Sequence, residues 1–220
     1  MINTQQNIVM ARNKYLKPYT EFRQHGSFGN MFDSFETEVL YSLVREVKPK
    51  NIIEFGCFKG YSSYIILEAM RDNQVEGSVL HSFDPLSYSK KLDCKTTYAT
   101  RELIVGKAED NCDQYIDKTV DFIFIDADHS YDFGKWYSLN VLPKLESGTP
   151  IWIHDWEFYN CSNNYADEME AVKTHAIDTK VIKPIMNLMD YVKANMKHST
   201  SKTISRANGD RSPSQILKRI

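Results

Sequence analysis

Apolar residues recur in two rhythms along this chain. Up to Pro49 the spacing is helical: "NIVMARNKYLKPY" reads as a helix ending towards Pro18. In "SFETEVLYSLVREVKPK", Phe35, Val39, Leu43 and Val47 share one face behind Ser34, a suitable N-cap, until Pro49 stops the helix. "HGSFGNMF" between them reads as a loop. From Asn51 the apolar residues come instead in short continuous runs, "NIIEF", "SVLHSFD", "ELIVG", "VDFIFID" and "TPIWIHD", separated by segments of helix length such as "YSSYIILEAMRD". Continuous runs suit strands buried on both faces, and the βαβ rhythm predicts an α/β fold with a mostly parallel open sheet and helices on both faces. Beyond Trp156 the pattern predicts a helix over "NNYADEMEAVKTHAI", a strand over "KVIKPI" and a helix over "NLMDYVKANM". "KTISRA" is read either as a last strand or as part of a solvated tail.

Four of the strands end on acids: Glu54, Asp84, Asp126 and Asp155. Ligands of open α/β sheets bind beyond the carboxyl ends of the strands, so the acids fall where a ligand is expected. The reading divides the chain into an N-terminal helical or lid segment (1–33), a ligand-binding α/β domain (34–196) and a basic polar C-terminal segment (197–220).

Composition narrows the class. With 220 residues and a formal charge of -2, the chain is long enough for one substantial core and carries no global basic field to attract nucleic acid or anionic membrane. No apolar run reaches the length of a bilayer span or a signal-peptide core, so a cytoplasmic protein without a membrane partner is expected. Cys57, Cys94, Cys112 and Cys161 show no zinc-ligand or CxxC spacing and are expected to be reduced packing residues.

"IIEFGCFKGYSS" places Gly56 and Gly60 in a strand-to-helix turn, which lets a ligand approach the backbone. Asp84 ends the next strand, at roughly the spacing where an acid accepts ribose hydroxyls in dinucleotide folds. Phe58 occupies the place of the middle glycine on which a pyrophosphate would rest, which favours an adenosyl ligand without phosphates.

These residues resemble the class I S-adenosylmethionine-dependent methyltransferases with their Rossmann-like fold. Glu54-Phe55-Gly56 through Gly60-Tyr61-Ser62 is similar to the first motif of small-molecule O-methyltransferases related to the catechol and caffeoyl-CoA enzymes. "SFDP", with Asp84, resembles the ribose-binding motif, and "GKAED" resembles the third, in which Ala108 or Glu109 lies beside adenine. The resemblance implies S-adenosylmethionine as cofactor, with Glu54, Gly56, Gly60, Ser62, Asp84, Ala108, Glu109 and Asp126 at its site.

"DFIFIDADHSYDFGKW" carries the other half of the chemistry. A carboxylate at the inner end of an apolar strand needs a cation or strong donors, and adjacent parallel strands are expected to bring Asp126 and Asp155 together. A divalent cation, Mg2+ by the oxygen ligands, answers that repulsion. Asp128 is read either as a helix cap or as a further ligand. The pair also resembles the metal-dependent O-methyltransferases, although Trp156 stands where the catechol and caffeoyl-CoA enzymes carry an asparagine ligand. "DADHSY" and "IHD" look more like a branch acting on macrolide sugars and other glycans or natural products, in which a histidine placed like His129 is the base.

The reading therefore expects a metal-assisted O-methyltransferase acting on a hydroxyl of a sugar, glycan or small molecule, with His129 as general base. His154 is the alternative base, which strand alternation is expected to point elsewhere. Trp152 and Trp156 are candidates to stack on an acceptor, Phe28 to Phe32 a candidate lid, and Trp136 and Tyr137 core residues. A second copy of the chain is one partner considered. The alternatives are an NAD(P)-dependent oxidoreductase and a non-catalytic binding subunit; a nucleic-acid methyltransferase is disfavoured by "DADHSY" in place of "(D/N)PPY".

Overall fold

The computed structural model describes residues 2, 4–18, 21–22, 34–155, 164–187 and 215–220. Eight strands form one sheet: β1 (Asn51–Phe55), β2 (Val79–Asp84), β3 (Cys94–Lys95), β4 (Thr100–Val105), β5 (Phe122–Ile125), β6 (Pro150–Ile153), β7 (Ile182–Asn187) and β8 (Gln215–Arg219). They lie in the order β3-β4-β2-β1-β5-β6-β8-β7. The central run β4-β2-β1-β5-β6 is parallel, while β3, β7 and β8 pair antiparallel at the margins.

The continuous apolar runs divide by strict alternation into two cores. Ile52, Leu80, Phe122, Phe124, Trp152 and Ile216 face one layer, with Val39, Leu40, Leu43, Ile65 and Ile66 from the helices. Ile53, Phe55, Phe83, Ile123, Ile125, Ile151 and Ile153 face the other, with Phe133, Tyr137 and Val172. A polar residue within these runs would be buried on either face, which is why the strand interiors contain so few.

The helices are α1 (Gln5–Tyr15), α2 (Ser34–Val47), α3 (Tyr61–Asn73), the short α4 (Ala108–Asn111), α5 (Tyr131–Asn140) and α6 (Asn164–Val172), the last continuing as a wider π-helical turn over Lys173–Ile177. Thr4 and Asn7 form a reciprocal cap at the start of α1. Its buried Ile8 and Ala11, and the Arg12–Glu38 and Lys14–Glu46 ion pairs, hold it on α2. Ser34, expected as a cap, is the first residue of α2.

The last described strand is Gln215–Arg219. Its apolar Ile216 and Leu217 are buried on opposite faces of the sheet between β6 and β7, whereas "KTISRA" lies outside the described residues. So do Trp156, Cys161, the lid candidate Phe28 to Phe32 and "NLMDYVKANM" beyond Asn187. Cys57, Cys94 and Cys112 are free thiols. No helix among the described residues is long and apolar enough to cross a membrane.

Candidate functional site

At the carboxyl ends of the parallel strands lies a cavity of ≈ 510 Å³, lined on one side by Gly56, Cys57, Phe58, Asp84 and Ala108, and on the other by Asp126, Ala127 and Asp128. Its size suits a single nucleoside-like ligand. Ser62 and Glu109 also line it, so six of the eight residues assigned to the cofactor from sequence reach its wall.

The other two, Glu54 and Gly60, act from behind it. Glu54 has no exposed surface, and its carboxylate accepts hydrogen bonds from the hydroxyls of Ser62 (2.7 Å), Ser63 (2.6 Å) and Ser82 (2.5 Å). Burial raises its pKa, against the nearby Arg101 charge and the three hydroxyls. Glu54 thus ties the first turn of α3 to β2 rather than facing a ligand. Gly60 takes φ +88° as the residue preceding α3, and a Cβ there would lie 2.2 Å from Leu92 Cδ1.

Gly56 joins the two sides of the cavity. It has φ +78°, and a Cβ on it would fall 1.9 Å from the Asp126 carbonyl oxygen. The glycine turn is therefore pressed against the end of β5, and the closest approach it permits is to the protein's own backbone. Asp84 then organises the turn: Oδ2 accepts from the backbone N–H of Cys57 (3.0 Å) and Phe58 (2.7 Å), and Oδ1 from that of Leu86 (2.8 Å). Phe58 is bent to φ +44° to present that N–H. Beneath the turn, the buried Arg101 donates to Ser82, Ser89, Asp93 and the Cys57 sulfur. No motif pointed to Arg101, which sits in a strand of otherwise half-exposed residues.

On the other side, strand register decides which groups meet. β5 and β6 pair Ile125 with Ile153, and the His154 N–H donates to the Ile125 carbonyl at 2.9 Å. The residue beside Asp126 is consequently His154, not Asp155. His154 does not point elsewhere, as alternation suggested: it is 3% exposed, with Nδ1 3.2 Å from Asp126 Oδ1 and 3.4 Å from Asp155 Oδ1. Asp155, bent to φ +49°, turns back to join them. The Nε2 of His154 lies 3.5 Å from Glu36 Oε2, a buried acid in the first turn of α2. Burial alone would lower the His154 pKa, but the charges of Asp126, Glu36 and Asp155 outweigh it and raise it well above the ordinary value.

Asp126, His154 and Asp155 each offer one donor atom, all within 4.8 Å of one another. The 3.2 and 3.4 Å separations match the edge between neighbouring ligands of an ion bound at about 2.2 Å, so the residues present fit a divalent cation. Asp128 stands apart from this group, on the cavity wall, where it accepts from Ser130 at 2.8 Å. Nor is Asp128 the cap of α5, which is Ser130, accepting from the Phe133 N–H.

His129 lies beside these acids. Its Nε2 is 3.8 Å from Asp126 Oδ1, and its Nδ1 is 2.7 Å from Glu168 Oε2 on α6. Burial pulls its pKa down, but the hydrogen bond and charge of Glu168, with the charges of Asp126 and Asp155, outweigh it and raise it. Burial raises Glu168 in turn, against the bonds from His129 and Tyr137. Trp152 is fully buried against Phe124 and takes no part; Trp136 stacks on Phe133, and Tyr137 is buried, both in the core as expected.

Sequence comparison relates this geometry to a family. Residues 53–156, which span both sides of the cavity, match a family described as a methyltransferase domain. No curated protein sequence matches the chain. Among solved structures, an O-methyltransferase from Bacillus cereus in complex with S-adenosylhomocysteine is similar, with a TM-score of 0.64 at 15% identity over 96% of this chain and 91% of the other. The O-methyltransferase TomG from Streptomyces achromogenes, involved in tomaymycin synthesis and solved with S-adenosylmethionine, gives 0.61 at 14% identity over 96% and 89%. CalS11, a TDP-rhamnose 3'-O-methyltransferase of calicheamicin biosynthesis, gives 0.57 at 14% identity over 97% and 92%. Residues 53–156 thus match a methyltransferase-domain family, and the chain shares its fold with these O-methyltransferases.

Proposed function

We propose that this protein methylates a hydroxyl oxygen of a sugar, glycan or small-molecule natural product, with a divalent cation assisting. One observation carries the reading: His129, His154 and Asp155 gather around Asp126, which lines the cavity formed by the glycine turn and Asp84. Structural relatives that are O-methyltransferases, CalS11 with its TDP-rhamnose among them, favour the same substrate class.

When bound, S-adenosylmethionine supplies an electrophilic methyl group on a sulfonium. The glycine turn and Asp84 would hold its adenosyl part, Asp84 keeping carboxylate lone pairs for ribose hydroxyls beside those used by the turn. Asp126, His154 and Asp155 would hold the cation, which would supply Lewis-acid assistance to deprotonation of the hydroxyl. His129 Nε2 would accept the hydroxyl proton of the acceptor as its oxygen takes the methyl group. The proton would then pass from His129 to solvent, with S-adenosylhomocysteine as the other product. The nitrogen donor of His154 widens the expected ion from Mg2+ to Mn2+ and related first-row metals. Three free cysteines suit a cytoplasmic setting.

The test begins with equilibrium binding of S-adenosylhomocysteine and NAD to the purified protein, followed by a screen of nucleotide sugars, glycosides and catechols for methyl transfer. Tight NAD binding without S-adenosylhomocysteine binding would overturn the reading. Activity surviving exhaustive chelation would remove the ion and leave His154 as the cationic group between the carboxylates.

A further inference from the structure

We infer that Glu168 is the positioning residue for His129, holding the imidazole with its proton on Nδ1 so that Nε2 is the basic nitrogen turned towards Asp126. The inference rests on the reading of His129 as the base. Glu168 belongs to α6, far in sequence from the β5–α5 loop that carries His129, and no motif assigns it a role.

The geometry is specific. Glu168 is 3% exposed, and each carboxylate oxygen has its own donor: Oε2 takes His129 Nδ1 at 2.7 Å, and Oε1 takes the Tyr137 hydroxyl at 2.9 Å. An ionised carboxylate can only accept, so the nitrogen facing it must carry the proton and the remaining nitrogen keeps its lone pair. Tyr137, fully buried on α5, fixes the carboxylate from the opposite side and prevents it from swinging away.

The close packing of α5 on α6 makes this contact reachable. Gly134 faces Glu168 across the helix pair, and a Cβ there would lie 3.0 Å from the Glu168 carbonyl oxygen, 3.1 Å from its Cγ and 3.2 Å from Ala171 Cβ. A larger residue would push α6 outward and draw Glu168 off the imidazole. A buried carboxylate is a poor stabilising device in itself, since its desolvation offsets most of what its bonds return. Orientation of a proton-accepting ring is a use that its bonding pattern fits.

Glu168→Gln tests the role because it keeps the shape while allowing the amide to donate to Nδ1. In the full-length protein with S-adenosylhomocysteine bound, 15N spectra of labelled imidazoles should show the His129 proton on Nδ1, assigned by difference against His129→Gln. In Glu168→Gln the proton should move largely to Nε2, while Glu168→Asp and Tyr137→Phe keep it mainly on Nδ1. With an acceptor from the screen, kcat of Glu168→Gln should fall by about 10²–10⁴-fold with KM changed less than about threefold. An unchanged tautomer in Glu168→Gln, or a loss of S-adenosylhomocysteine affinity parallel to the loss of kcat, would overturn the positioning role. Full activity of His129→Ala, with the tautomer shift still present in Glu168→Gln, would instead overturn the base assignment on which the role rests.

Discussion

The two sides of the cavity both gather carboxylates, and they hold them in opposite ways. On the cofactor side Glu54 and Asp84 accept only from serine hydroxyls and backbone N–H groups, donors that do not titrate in the working range of a protein. On the acceptor side Asp126, Asp155, Glu36 and Glu168 surround two histidines, whose proton can leave or move. A side that must present one fixed surface is built from permanent donors. The side proposed to exchange a proton is built around imidazoles.

Gly56→Ala offers the harshest test, because it breaks the point where the sides touch. The alanine would need φ near +78° and would drive its Cβ into the Asp126 carbonyl, at 1.9 Å. Backbone on backbone cannot relax by turning a side chain, so a loss of about 3 kcal/mol or more is expected, read as a melting temperature lower by roughly 6–12 °C. S-adenosylhomocysteine binding should vanish with it. A melting temperature within about 2 °C of the parent protein would show that the sides do not meet as described.

Paired amide substitutions sharpen the comparison at lower cost. Asp84→Asn replaces the charged acceptor of the Cys57 and Phe58 N–H groups and should weaken S-adenosylhomocysteine by about 10–100-fold, measured by calorimetry. Asp126→Asn should leave that affinity within about fivefold while abolishing methyl transfer and weakening Mn2+ binding. Equal losses of cofactor affinity in the two variants would mean that one shared network serves both ligands.

The same division governed what could be read in the sequence. The cofactor side was legible because Glu54 to Ser62 is one contiguous turn and Asp84 ends the adjacent strand, so local spacing already carries the geometry. The burial of Glu54 behind the turn depends on the serines of α3 and β2, which local spacing does not show. On the acceptor side Asp126 and Asp155 were found as strand ends, but their meeting depends on register, which one strand alone does not specify. Pairing Ile125 with Ile153 put His154 where a second aspartate was expected. Glu36 and Glu168 left a fainter signal. Each occupies the apolar stripe of its helix, Glu36 with Val39 and Leu40, Glu168 with Ala171 and Val172, and an acid on such a stripe needs a buried partner.

The smallest expected effect concerns Cys57, which lies in the glycine turn against Arg101 at 3.3 Å. An arginine so close would by itself favour the thiolate and make the turn chemically reactive. Burial and the charge of Glu54 win instead, pushing the thiol up to about 12. At pH 8 about one Cys57 in ten thousand is then ionised, so alkylation by iodoacetamide should run at least about a hundredfold slower than at the half-buried Cys94, with peptide mapping to separate the sites. S-adenosylhomocysteine should slow it further, because Cys57 lines the cavity. If Cys57 reacts as fast as Cys94, Arg101 outweighs burial, and the cofactor side holds a titratable group after all.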